Sequence, residues 1–328
     1  MKKNPAMTTP LFILVIYLLI IAERLVRNRI IETGGNRFLT VIILQILIFV
    51  IPSVVFFRIK GIGYSKKMNI RLFSPDKFGC VFLSVLVLAS GTALIKLAQI
   101  NLFHIENTEF SVFSSYFTGY ENESVMAVAM ALVVTPAICE ELVFRTIVLT
   151  EYNSAGYGAP AASVVSVILF SMMTMNHRLL PVYLISGVVY CMITYATGSA
   201  LPAFIAHFAF NAYLAFAEKY VYNALTNPAN TVISIFSFGL VFLVSLVLMF
   251  ADLERILKRS AFNGTPSPSY MLKKTDDDTP DIVATEADEN VRRSGMSKNM
   301  KEIIEAVVSP TLLLCILFFL IMIFGFSN

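Results

Sequence analysis

Apolar residues in this chain run in long unbroken blocks rather than in the two-residue alternation of a half-buried strand. A helix crossing a bilayer needs about 20 of them. The blocks that approach this length are 11–26, 38–57, 78–100, 124–149, 159–177, 180–197, 200–219, 231–251 and 303–326. They predict an all-α fold, a polytopic transmembrane helical bundle of eight to nine spans. The first block is the weakest, because only Leu11 to Ala22 are uninterrupted before Glu23. No small-residue cleavage site follows it, so it reads as an uncleaved span and not as a secretory leader. The missing alternation argues against a β-barrel, and no internal repeat suggests the inverted halves of a transporter.

Composition agrees with the pattern. Hydrophobic residues make up 57 % of the 328 positions and charged ones 14 %, against roughly 25 % charged in a soluble domain. Mean hydropathy is +0.74. A formal charge of +3 is too small to argue for nucleic acid as a partner, and the bilayer itself becomes the expected surroundings. Cys80, Cys139, Cys191 and Cys315 all fall in apolar blocks without paired spacing. They read as packing residues, not as a disulfide framework or zinc set. Tryptophan is absent, which leaves interfacial anchoring to tyrosines.

Charge placement sets an orientation. Residues 58–77 carry Arg58, Lys60, Lys66, Lys67, Arg71 and Lys77, whereas 101–123 carry Glu106, Glu109, Glu121 and Glu123 and no Lys or Arg. With Lys2, Lys3, Arg255, Lys258 and Arg259, the bias puts the N-terminus in the cytoplasm and the C-terminus outside. Arg27, Arg29 and Arg37 oppose it. Residues 259–302 break the composition with Pro, Ser, Thr, Asp and Glu. Such a stretch buries too little apolar surface to offset its ordering entropy, and is expected to be a disordered cytoplasmic linker.

Three polar islands interrupt the block-rich stretch between Pro136 and Asn211: Glu140 to Arg145, then Asn176-His177, then His207 to Asn211. Ionisable groups in such surroundings are costly unless they face one another or water. Residues four apart share a helix face, so Arg145 sits one turn from Glu141 while Glu140 points about 100° away. An ion pair between Glu141 and Arg145 would leave Glu140 facing a cavity. A carboxylate held in a low-dielectric place suits general acid–base work near neutral pH. The same three residues would also serve as a structural charge cluster at the membrane edge. Pro136, one turn earlier, weakens the backbone ladder beside Glu140, with or without a part in chemistry.

His207 and Asn211 also share a face. An imidazole and a carboxamide can donate hydrogen bonds to a developing oxyanion, or simply join helices as polar glue. At 1.5 Å per residue, the descent from Glu140 to the turn near Gly156 is roughly 25 Å and the return to His177 roughly 30 Å. That path would bring the two to similar depth; the alternative is an interfacial histidine beside Arg178. His104, in the acidic loop, has no assigned role.

In order and spacing, Glu140-Glu141-x-x-x-Arg145, a histidine about thirty residues on, and His207-x-x-x-Asn211 resemble the CPBP family. These are the type II CAAX prenyl endopeptidases and related bacteriocin-processing or immunity membrane proteins. The stretch from Gly187 through Thr197-Gly198-Ser199 to Ala203 resembles the family's turn and its entry to the histidine helix. The resemblance covers residues 125–215. It implies an intramembrane endopeptidase acting near the cytoplasmic face on a CAAX-type or bacteriocin-type peptide, prenylated or not. Glu140 would activate water with His177 assisting, His207 and Asn211 would stabilise the oxyanion, and Glu141 and Arg145 would orient the site.

The family is often labelled metalloprotease, and Glu140, His177 and His207 are zinc ligands by chemical type. The expectation is no cofactor, with zinc on those three as the alternative. One departure is that Met173 stands where the family's second motif has phenylalanine, with Phe170 three residues earlier. An altered motif also fits a non-catalytic membrane protein that gives immunity to a peptide toxin. The resulting divisions are 1–123, N-terminal helices with a basic loop; 124–220, the CPBP-like core; 221–258, a further transmembrane helix; 259–302, the linker; and 303–328, the last helix.

Overall fold

The structure is a computed structural model that describes residues 5–61, 70–103, 124–227, 231–262 and 299–325. Among the described residues every regular element is helical, as a chain in hydrocarbon requires, because a helix satisfies its own backbone polar groups. The helices are α1 (Pro5–Glu32), α2 (Arg37–Lys60), α3 (Phe78–Phe103), α4 (Val125–Ser154), α5 (Ala159–Met172), α6 (Leu180–Thr197), α7 (201–226), α8 (Thr231–Phe262), α9 (Asn299–Val307) and α10 (Pro310–Gly325). The molecule is an integral membrane protein.

Among the described residues six helices are long and apolar enough to cross a bilayer, or seven if α9 and α10, bent by 56°, count as one span. Eight to nine were expected from hydropathy. The block 159–177 yields only the 14 residues of α5, about 21 Å at the α-helical rise and short of a hydrocarbon core about 30 Å thick. The chain leaves the helix because Met175 adopts a left-handed φ of 49° and the Asn176 side chain accepts a hydrogen bond from Arg178 N at 3.0 Å. An Asx turn of this kind competes with helix continuation. The block 200–219 is the other one missing from the count; α7 runs on into the more polar piece Glu218–Thr226. At the linker, residues 259–262 continue α8 and 299–302 open α9, while 263–298 lie outside the described residues. His104 and the acidic loop also lie outside them.

Prolines shape the bundle. Pro10 in α1 has no N–H to give Ala6, and Thr311 of α10 donates to the Ala6 carbonyl at 2.7 Å. One turn on, Cys315 reaches the Pro10 carbonyl at 3.2 Å, so α10 is seated along the first turns of α1. Pro52 and Pro136 follow π-helical turns at Ile46–Val50 and Ala129–Val134. Beside them Ser53 donates to Phe49 O and Thr135 to Met130 O, each at 2.6 Å. Further π turns occupy Leu142–Val148, just after Glu141, and Tyr213–Ala217, just after Asn211. Such turns rotate the side chains that follow and recur at functional sites.

One end of the bundle gathers the basic residues. Lys60 meets Glu151 at 2.5 Å and Thr8 at 3.1 Å, Lys77 donates to Thr197 O at 3.2 Å, and Arg259 lies 3.4 Å from Asp76. Ser199, after the left-handed Gly198 that turns α6 into α7, exchanges hydrogen bonds with the Arg71 backbone at 3.0 and 2.7 Å. The start of α1 and the ends of α2 and α8 therefore share a side. At the opposite end Gln99 of α3 donates to Arg178 O at 2.8 Å, in the connection between α5 and α6.

Candidate active site

The site is built on the middle of α4, where Glu140 and Glu141 close the segment Thr135–Glu141 between two π turns. Their environments differ. Glu141 is wholly buried, with Oε2 3.2 Å from Arg145 Nε and Oε1 2.8 Å from His207 Nδ1. The first contact is the ion pair expected from the four-residue spacing. Arg145 Nε and Glu141 Oε2 lack aligned hydrogen-bond partners, so this contact is charge against charge. The second was not expected, since Glu141 and His207 lie 66 residues apart. A carboxylate accepts, so a hydrogen of His207 sits on Nδ1, placed there by its partner.

Glu140 takes the other side of the same imidazole. Its Oε2 lies 3.7 Å from His207 Nε2 and, although buried, has no hydrogen-bond partner among the described residues. One turn along α7, Asn211 is buried as well. Glu140, Glu141, Arg145 and His207 are thus brought together on α4 and α7, with Asn211 one turn beyond His207.

Arg145 is 1 % exposed, which demands compensation. Besides Glu141 it donates from Nη2 to the Gly187 carbonyl at 3.2 Å and lies over the rings of Phe170 and Tyr190, 4.3 and 5.1 Å from their centroids. Gly187 permits this approach: a Cβ there would stand 3.3 Å from both Phe170 Cδ1 and Val167 Cγ1. Tyr190 stacks on His207 with centroids 4.9 Å apart and planes at 22°, and Phe170 meets the imidazole edge-on at 6.0 Å.

Phe170 and Tyr190 are the site residues that sequence reasoning did not assign. The signal for Tyr190 was a phenol inside a span, where its hydroxyl needs a partner; hydropathy counts it as apolar. For Phe170 the motif register pointed instead to Met173, which is buried in the turn after α5. It is Phe170 that occupies the apolar place beside Arg145 and His207.

His177 is not brought to these residues. It sits exposed in the connection between α5 and α6, and among the described residues no hydrogen bond or ion pair joins it to Glu140 or His207. The depth estimate assumed a helix through 177, and α5 stops at Met172.

A catalytic zinc usually has three protein ligands. Among the described residues no three His, Cys, Asp or Glu side chains form a group that could hold a metal, so Glu140, His177 and His207 are not gathered as ligands. Arg145 and His207 already engage both oxygens of Glu141. The donors present do not fit the ion.

Residues 122–213 match the family model described as type II CAAX prenyl endopeptidase Rce1-like. No curated protein and no solved structure matches the chain. The matched segment takes in α4, α5, α6 and the first half of α7, which carry all the residues of the site.

Proposed function

We propose, from the match of residues 122–213 to the type II CAAX prenyl endopeptidase Rce1-like model, that the chain hydrolyses a peptide bond inside the membrane near its cytoplasmic face. The observation that carries the reading is the pair of unlike glutamates around one imidazole. Glu141 engages Nδ1, while Glu140 presents a buried oxygen without a partner to the Nε2 side. Glu140 takes a proton from water, and the hydroxide adds to the scissile carbonyl carbon. The carbonyl electron pair moves to oxygen, which accepts hydrogen bonds from His207 Nε2–H, in its imidazolium form with Glu141 as counter-ion, and from Asn211 Nδ2–H. Glu140 returns its proton to the amine as the C–N bond breaks.

Arg145 holds Glu141 in place and is itself held by Gly187, Phe170 and Tyr190. The resemblance adds His177 as an assisting imidazole. The expected substrate is a CAAX-type peptide, with or without its prenyl group, or a bacteriocin-type peptide. The basic end of the bundle, with the start of α1, is assigned to the cytoplasmic side by its lysines and arginines.

The test uses the purified full chain in detergent and a quenched fluorogenic peptide ending in a farnesylated Cys-aliphatic-aliphatic-X sequence, beside its unprenylated form. Glu140→Gln should abolish cleavage, and His177→Ala should reduce it at least about tenfold if it moves a proton in the reaction. Unchanged cleavage in both variants removes the peptidase reading. The exposed His177 also favours a second reading, a non-catalytic protein that gives immunity by binding a peptide toxin. Full protection by Glu140→Ala in a toxin challenge would select it.

A further inference from the structure

Buried polar atoms without hydrogen-bond partners gather around one spot in this molecule. Glu140 Oε2, Glu141 Oε2, Arg145 Nε, Arg145 Nη1 and the Tyr190 hydroxyl all belong to it. Glu141 and Arg145 at least hold each other by charge at 3.2 Å. Tyr190 has no such relief. Its side chain is 0 % exposed, its hydroxyl meets no acceptor among the described residues, and its charged neighbours are Glu141, Arg145 and Glu140. A buried phenol normally finds a partner for its O–H. A residue needed only to fill space between α5 and α7 would do so as phenylalanine, without an orphaned hydroxyl.

The ring's setting says where that hydroxyl belongs. Tyr190 lies nearly parallel to the His207 imidazole, 4.9 Å between centroids, and the Arg145 guanidinium lies 5.1 Å from its centroid. A phenol stacked flat on an imidazole carries its O–H past the edge of that ring. With Phe170 edge-on to both rings, at 6.3 Å from Tyr190 and 6.0 Å from His207, the phenol has little room to turn away.

We propose that the Tyr190 hydroxyl is a further catalytic hydrogen-bond donor, given to the substrate's carbonyl oxygen as the tetrahedral oxyanion forms. This rests on the peptidase reading. When water adds to the carbonyl carbon and its proton passes to Glu140, the oxygen that receives the electron pair takes hydrogen bonds from His207, Asn211 and Tyr190. Tyr190 keeps its proton throughout. The donor is neutral and pre-placed by stacking, so it needs no reorganisation when charge develops.

Tyr190→Phe removes the hydroxyl and leaves the ring. On the same farnesylated and unprenylated fluorogenic peptides, this variant should keep the wild-type Tm and KM, and kcat should fall on the order of 10²-fold, as for loss of one oxyanion donor. Glu140→Gln is measured beside it. If Glu140→Gln is inactive while Tyr190→Phe keeps kcat within about twofold, Tyr190 is no donor and the peptidase reading stands. A lowered Tm, or a raised KM with unchanged kcat, makes Tyr190 a packing residue and overturns the inference. Full activity of Glu140→Gln removes the peptidase reading and this inference with it.

Discussion

At the scale of single residues, the adjacent glutamates of α4 sit in unlike surroundings, and under the proposed function they divide structure from chemistry. Glu141 is bound into a charge network with Arg145 and His207, and all three are buried. Removing one partner from such a set strands the others, at a cost of about 3–5 kcal/mol. Glu141→Gln should therefore lower stability by that order in thermal or denaturant unfolding in detergent. Glu140→Gln, which removes a carboxylate oxygen without a partner, should leave Tm unchanged or slightly raised while cleavage is lost. Equal destabilisation by the two changes would refute this division. The Glu141–Arg145 contact was legible in the sequence because four residues make one helical turn. The Glu141–His207 contact was not, because spacing within one helix says nothing about which side of it a second helix will cover.

At the scale of elements, close packing is set by small residues and by side-chain hydrogen bonds to the backbone of neighbouring helices. Gly187 lets α6 approach α5 and places its carbonyl on Arg145. Gly187→Ala introduces a Cβ 3.3 Å from Phe170 and Val167, tighter than ordinary contact, and overpacking of this kind costs about 1–3 kcal/mol. A lowered Tm together with reduced cleavage is expected, because the clash falls on the residue beneath Arg145. Thr311→Val should destabilise by about 0.5–1.5 kcal/mol, since it removes the hydrogen bond that α10 gives to the Ala6 carbonyl. A Tm equal to wild type would show that the α1–α10 contact carries no stability. The apolar blocks foretold most of these helices, and failed at α5. There a left-handed Met175 and the Asn176 turn end the helix inside a block that hydropathy carries on to His177.

At the scale of the whole molecule, two features join the helical core to the rest. Lys96 of α3 and Glu218 of α7 form a buried ion pair, and Glu218 follows His207 and Asn211 on the same helix beyond one π turn. Lys96→Met leaves Glu218 uncompensated and should cost about 3–5 kcal/mol, with substantial recovery in the Lys96→Met, Glu218→Leu double variant. No recovery would show that the pair is not the source of the loss. The second feature is sidedness. The native cysteines are all buried, so added ones report alone. Leu72, 94 % exposed at the basic end, and Val125, 69 % exposed at the start of α4, are convenient places. With a membrane-impermeant maleimide, Leu72→Cys should label only in inside-out vesicles and Val125→Cys only in right-side-out ones; the reverse pattern inverts the orientation. Arg27, which opposed the charge bias, is buried in α1 and paired with Glu23 at 3.1 Å, so it is not an ordinary loop cation.

The sequence by itself determined that this is an all-helical membrane protein and which family the order of its polar islands resembles. Hydropathy and helical spacing are local quantities that a linear reading can sum. Tertiary packing alone decided that one imidazole would sit between two unlike glutamates, that Phe170 and Tyr190 would wall them in, and that His177 would stay outside on a turn. Those outcomes depend on which helix faces meet and where a helix stops, and both are settled by contacts between residues far apart along the chain.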